Sequence, residues 1–260
     1  MSFSIQNLSA WYNKTQVLYN INLSLAPKEI HCRVGESGSG KSTILKILFA
    51  NHRPIEKLKF TGEIYLNEKL IASTKDSKKL GRIPELQLIF QEPSLSFNPS
   101  WTLREILEEP LKLLKLQKES YYKEMQTWLE KFELPSTALN KSIQNFSGGE
   151  KQRIAMIRAI LANPRVLCMD EPVSGLDRIM LSKTVEYIKT LRESKEISIF
   201  IVSHDLDFVK LVADTISVIE TGKILESQKT KDFFENPLSF YAKELIESRN
   251  LSGIRNLKET

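Results

Sequence analysis

The 260-residue sequence predicts an α/β chain with a mainly parallel sheet, preceded by an antiparallel β region and interrupted by a helical insertion. Three observations carry that class. Near-continuous apolar runs such as "RVLCM" before Asp170 and "ISIFIV" before Ser203 alternate with helix-spaced segments, as strands covered on both faces do. Period-two alternation marks the first 25 residues. Between Trp101 and Asn163 the strand signals vanish.

Taken in order, "FSIQNLSAWY" and "TQVLYNINLSL" read as half-buried antiparallel strands. The short run "EIHCRV" leads into the glycine-rich turn "GESGSGKS", and "KSTILKILFA" from Lys41 to Ala50 has helical spacing. A hairpin around "FTGEIYLNEKLI" and a strand "LQLIF" ending at Gln91 follow, with "STKDSKKLGR" between them as an exposed basic loop. "LREILEEPLKLLKL" and "YYKEMQTWLEKFEL" are amphipathic helices. Strands return as "RVLCM", "ISIFIV" and "TISVIE", the last before the turn "TGK", and the tail after Ser248 is polar and reads as loosely ordered. The expected divisions are 1–92 (antiparallel β region and first part of the core), 93–163 (helical subdomain), 164–230 (second part of the core) and 231–260 (helical extension and tail).

Composition narrows the function classes. With 41% hydrophobic and 27% charged residues the chain is an ordinary globular one, and no apolar run approaches the roughly 18 residues of a membrane span. No charged-then-apolar leader precedes Ala10, so the cytoplasm is the default expectation. Cys32 and Cys168 lie in apolar runs without metal-ligand spacing and read as buried thiols. The net charge of +5 comes from lysines interspersed with glutamates, a solvated face, and nucleic acid is not expected as a direct partner.

The chemistry begins at Gly35. "GESGSGKS" fits G-x-x-x-x-G-K-S/T between a strand and a helix, the setting of a P-loop NTPase core. Backbone N–H groups of such a loop wrap phosphates, a lysine in the place of Lys41 reaches the β and γ oxygens, and a hydroxyl in the place of Ser42 ligates Mg²⁺. "VLCMDE" sets Asp170 and Glu171 at a strand end, where the second metal-linked carboxylate of a phosphate-loop ATPase sits. Gln91 and His204 also close apolar strands. Alone, each is an ordinary strand-end residue, and Ser203 or Asp205 as a helix cap explains the second pattern equally well.

The ordered set "GESGSGKS", "IFQEPSLSFNP", "FSGGEKQR", "VLCMDEP", "SGLD" and "VSHD" resembles the ATP-binding subunits of ABC transporters along nearly the whole chain. "FQEPSLSFNPSWTLREILEEPL" and "ENPLSFYAKELIES" are similar to the oligopeptide, dipeptide and nickel importer ATPases. The resemblance implies the ABC ATPase fold and ATP with Mg²⁺ as ligands. It implies nucleotide contacts from Gly35, Glu36, Ser37, Gly38, Ser39, Gly40, Lys41, Ser42 and Thr43. It further implies Glu171 as catalytic carboxylate, Asp170, Gln91 and Ser42 at the metal, and His204 at the γ-phosphate. Tyr12 would stack on adenine, with Trp11 its rival and an ordinary packed pair the plainer alternative. Ser147, Gly148, Gly149 and Glu150 would close over a partner's ATP, and Gly175 and Asp177 would lie across the dimer interface.

Partners implied are two transmembrane permease subunits, a second identical or different ATP-binding subunit, and an extracytoplasmic solute-binding protein. The chain would sit peripherally on the cytoplasmic face of the inner (cell) membrane. Phe97, Asn98 and Pro99 would shape the surface receiving a permease helix, or form a plain turn packed by Phe97. Two other readings stay open: an ABC ATPase working without a membrane partner on nucleic acid or cofactor assembly, and a regulatory ATP-binding subunit with little hydrolysis.

Three departures from the family pattern stand out. His31 and Arg33 share one face of a strand expected to be buried, so Arg33 needs a carboxylate partner or a less buried face. Phe146 replaces the commoner leucine, a tolerable apolar exchange. Glu150 replaces the commoner glutamine, which suits the helix dipole but sets a negative charge where a γ-phosphate would approach.

Overall fold

A computed structural model describes residues 3–49, 57–73 and 83–256, so most of the basic stretch 73–82 and the last four residues lie outside the described residues. The chain forms two compact units, residues 1–82 with 198–260, and residues 83–197.

In the first unit, β1 (Phe3–Tyr12) pairs antiparallel with β2 (Thr15–Leu25) and with β4 (Leu58–Leu66), and β5 (Lys69–Ser73) completes a sheet ordered β2-β1-β4-β5. Alternation in β2 turns Leu18, Ile21, Leu23 and Leu25 inward and leaves Asn20, Asn22 and Ser24 outside, as expected for a sheet with one wet face. Parallel pairing sets β3 (Ile30–Val34) between β8 (Ser198–Ser203) and β9 (Thr215–Glu220), and β10 (Lys223–Lys229) pairs antiparallel with β9. Every residue of β3 and β8 is buried, as the near-continuous apolar run of β8 requires and as His31 and Arg33 in β3 would not suggest. Helix α1 (Lys41–Phe49) follows the glycine loop and buries Ile44, Leu45, Ile47 and Leu48. Helices α6 (Leu206–Val212), α7 (Thr230–Glu235) and α8 (Phe240–Asn256) complete the unit. The stretch after Ser248, expected to be loose, continues α8.

The second unit holds the parallel pair β6 (Leu86–Ile89) and β7 (Val166–Asp170) and the helices α2 (Leu103–Leu114), α3 (Lys118–Lys131), α4 (Gly148–Leu161) and α5 (Arg178–Ser194). A capping box starts α2: the Thr102 hydroxyl accepts from Glu105 N–H, and the Glu105 carboxylate accepts from Thr102 N–H at 2.7 Å. Pro110 lies within α2, which continues to Leu114 and stops at Lys115 in the left-handed region. Among the described residues no helix is long and apolar enough to cross a membrane.

The buried face of β3 corrects one expectation. Arg33 is 0% exposed, and its three guanidinium nitrogens have no hydrogen-bond partner among the described residues. Among the described residues neither a carboxylate nor water-facing exposure compensates it; the cation lies over the Phe200 ring at 5.4 Å, and burial lowers its pKa to about 9. His31 is held neutral: burial above all, then Arg33 and Lys229, push its pKa down to about 3, and its Nε2 is hydrogen-bonded with the Ser217 hydroxyl.

Candidate functional site

The phosphate-loop candidates all belong to the first unit. Between β3 and α1 the chain turns through Gly35, Glu36, Ser37, Gly38, Ser39 and Gly40 into Lys41, Ser42 and Thr43. Gly38 and Gly40 have φ of 82° and 103°, a region that favours glycine. A Cβ on Gly40 would also stand 2.7 Å from Leu18 Cδ2, and one on Gly35 would collide with the Ile219 carbonyl. Among the described residues, no atom beyond its chain neighbours lies within 4 Å of where a Gly38 Cβ would be. Lys41 is only 5% exposed; its ammonium donates to the carbonyl oxygens of Gly35 and Glu36 at 2.6 and 2.7 Å. The cation is thus held at the loop by groups that a phosphate can replace, which fits an anion with several oxygens.

The turn between β9 and β10 supports this loop, a role not evident in the sequence. Gly222 (φ 79°) donates its N–H to the Ser39 carbonyl at 3.0 Å, and a Cβ there would collide with the Val17 carbonyl. Tyr19 N–H donates to the Gly222 carbonyl at 2.8 Å. The "TGK" dipeptide core was readable as a turn, but not as a prop 180 residues downstream of the loop that it holds. Trp11 and Tyr12, successive residues at the end of β1, are both half-buried and point to opposite faces of the strand. His204 is exposed just past β8, while Asp205 caps α6 by accepting from Phe208 N–H at 2.9 Å. The helix-cap explanation therefore accounts for Asp205, and His204 is displayed by it.

In the second unit Asp170 ends β7, and Glu171 follows with φ 47°. A non-glycine residue in the left-handed region stores strain that the surrounding structure must sustain, a pattern found at active sites. The next turns, Glu171 C=O to Ser174 N–H and Val173 C=O to Leu176 N–H, carry the chain through Gly175 (φ 73°) to Asp177, which caps α5 by accepting from Met180 N–H. Gln91 is exposed beyond β6, and its amide donates to the Ser174 hydroxyl at 3.4 Å.

Helix α4 begins at Gly148 with Ser147 as its cap. The Ser147 hydroxyl accepts from Glu150 N–H, and the Glu150 carboxylate accepts from Ser147 N–H at 2.8 Å. That backbone hydrogen bond, the largest influence on it, lowers the Glu150 pKa and keeps it ionised. The carboxylate is folded back onto its own helix start; the N–H groups of Gly148 and Gly149, first in the helix, have no acceptor four residues back. Gln152, buried, donates to the Pro172 carbonyl and so ties α4 to the residue beside Glu171. These segments line an open cleft of about 570 Å³ whose walls include Gln91, Ser147, Gly149, Pro172 and Asp177.

Phe97 departs from the surface assigned to it. It is 7% exposed and lies 5.0 Å beneath the Arg158 guanidinium, which also donates to the carbonyl and hydroxyl oxygens of Ser96 at 3.1 Å each. Asn98 and Pro99 remain exposed. The packed-turn alternative describes Phe97, and only its two neighbours are presented outward.

Residues 18–174 match the family described as ABC transporter. The chain belongs to the ABC transporter family. It is 32% identical over 229 residues to the oligopeptide transport ATP-binding protein OppF of Lactococcus lactis, covering 88% of this chain and 70% of that one. Its identity to OppF of Bacillus subtilis is 34% over 219 residues, covering 83% and 70%. Among solved structures, cbiO1 of Clostridium perfringens, part of the ABC transporter complex cbiONQ, aligns with a TM-score of 0.75 at 27% identity over 99% of this chain and 98% of that one. The ATP-binding cassette MJ0796, in a dimeric post-hydrolysis state bound to ADP and Pi, aligns with a TM-score of 0.71 at 27% identity, covering 88% and 98%. As a member of this family the chain is an ATP hydrolase coupled to transport.

Proposed function

We propose that this chain powers an importer of oligopeptides or dipeptides, binding ATP in the loop Gly35–Thr43 and hydrolysing it within a dimer of ATP-binding subunits. The observation that carries the nucleotide part is the buried Lys41 ammonium, held by two loop carbonyls beside a positive-φ glycine turn. The solute part rests on the peptide names of the relatives. Nickel, expected alongside peptides, draws no support from them, and a role without a membrane partner is not favoured.

In this reading Lys41 turns from the Gly35 and Glu36 carbonyls to the β and γ oxygens, while the loop N–H groups wrap the β-phosphate. Ser42, Asp170 and Gln91, all oxygen donors, fit a hard divalent cation such as Mg²⁺. When bound, the ion neutralises charge on the phosphate oxygens. Glu171 orients and deprotonates the attacking water, and His204 donates to the γ-phosphate. Tyr12 stacks on adenine, with Trp11 the competing candidate. Gly148 and Gly149 offer their N–H groups, with Ser147, to the γ-phosphate held by the other subunit, so neither half-site is complete alone. The dimer docks on two permease subunits at the cytoplasmic face of the membrane, with a solute-binding protein outside.

The deciding experiment is purification of the complex from its native membrane with Glu171→Gln in this chain. ATP retained in a closed dimer, permease subunits copurifying and peptide in the solute-binding protein would support each part separately. An ATP-binding chain that never copurifies with a membrane protein would overturn the importer reading.

A further inference from the structure

Tyr241 stands in the first turn of α8, and its hydroxyl oxygen accepts a 2.9 Å hydrogen bond from the N–H of Glu36, the second residue of the phosphate loop. The same peptide unit is gripped from its other side, because the Gly35 carbonyl accepts from the Lys41 ammonium at 2.6 Å. One peptide plane at the mouth of the loop is therefore fixed by two side chains, one local and one from 205 residues downstream.

The start of α8 is itself anchored. Glu226 on β10, only 6% exposed, accepts from the N–H groups of Leu238 and Ser239 at 3.0 and 2.9 Å and from the Ser239 hydroxyl at 2.5 Å. The Ser239 hydroxyl in turn accepts from Ala242 N–H at 3.1 Å, capping the helix, and Ala242 is fully buried. These bonds fix the turn from which Tyr241 reaches the loop.

We propose that Tyr241 is a positioning residue for the phosphate loop, through which the C-terminal helix sets how tightly nucleotide is held. The inference rests on the reading of Gly35–Thr43 as the ATP loop. When Lys41 leaves the Gly35 carbonyl for a phosphate, the Tyr241 hydroxyl is the hold that remains on that peptide plane. The loop's donors then stay oriented without a further ordering cost, which is how preorganisation raises affinity.

The test compares the full chain with Tyr241→Phe, which keeps the ring and loses only the hydroxyl, in two backgrounds. Without nucleotide, amide hydrogen exchange across residues 35–40 is expected to quicken in Tyr241→Phe. Titration with a fluorescent ADP analogue should show affinity weakened about two- to tenfold, the range of one hydrogen bond, and the ATP KM should rise by the same factor at unchanged kcat. In a Glu36→Pro background, where residue 36 has no N–H, Tyr241→Phe should change neither affinity nor KM. Equal affinity and equal exchange in the single variant, a fall in kcat alone, or the same loss in the proline background would overturn the proposal. Lys41→Ala separates the two levels: if it leaves analogue binding intact the ATP-loop reading fails, whereas lost binding there with a silent Tyr241→Phe condemns only the role of Tyr241.

Discussion

Replacing Arg33 by methionine should make the protein more stable. In the folded chain the guanidinium is buried without a hydrogen-bond partner among the described residues, and burial holds its pKa down at about 9, well below the ordinary guanidinium value. A shift of that size corresponds to about 5 kcal/mol of penalty on the charged form at about 1.4 kcal/mol per unit. The Phe200 ring, 5.4 Å away, returns about 2 kcal/mol for a desolvated cation, leaving about 3 kcal/mol against the native state. Methionine keeps an unbranched, adaptable stem in the same slot and carries no charge. The sign follows from proton linkage. The lowered folded-state pKa means that, above about pH 9, the unfolded chain holds a proton that the folded chain gives up. The penalty is therefore full below about pH 9 and fades above it. Urea unfolding at pH 7.5, followed by circular dichroism and by fluorescence in parallel, should give Arg33→Met a gain of about 2–4 kcal/mol. A loss of stability would refute the reasoning, because it would mean that the cation has a stabilising partner in the folded protein.

Other expectations are more local. His31, held neutral with a pKa near 3, should cost the wild type about 2 kcal/mol of stability between pH 6.5 and 5, beyond any loss in His31→Gln, since only the unfolded chain takes up that proton; urea midpoints at the two pH values measure it. Gly40→Ala should lower the thermal midpoint and weaken nucleotide binding together, because the side chain meets Leu18 at a φ of 103°. Glu150→Gln keeps the capping geometry but removes a charge beside the helix start, so ATP turnover by the dimer should rise about two- to fivefold in a phosphate-release assay; a fall would show that the carboxylate itself serves the site. Glu171→Gln should abolish hydrolysis while sparing ATP binding, read by single-turnover kinetics and size-exclusion chromatography with ATP.

Local chemistry made much of this legible in advance. A strand, glycines, a lysine and a helix sit within about twenty residues of Ile30, so the phosphate loop needed no tertiary information. Near-continuous apolar runs located β7, β8 and β9 for the same reason, while β3, with His31 and Arg33, was placed by the glycine turn that follows it. The spacing Ser147-x-x-Glu150 is a capping-box signal that the reading of Glu150 against a γ-phosphate passed over. Arg33 was the harder case: its burial follows from β8 and β9 on either side, and nothing within its own segment tells whether a carboxylate is waiting. Gly222 and Tyr241 reach the loop from the far end of the sequence, across separations that no periodicity or spacing rule spans. For Phe97 the two alternatives could not be separated in advance, because an aromatic in a turn reads the same whether it faces out or lies beneath Arg158.

Consider finally the pair of ties that α4 makes within its unit. At one end Gln152 grips the carbonyl of Pro172, next to the strained acid; a turn and a half further on, Arg158 clasps Ser96 and covers Phe97. A helix bolted at two points to two different loops has little slack between them. The backbone beside Glu171 and the turn that presents Asn98 and Pro99 are therefore both tied to the same helix.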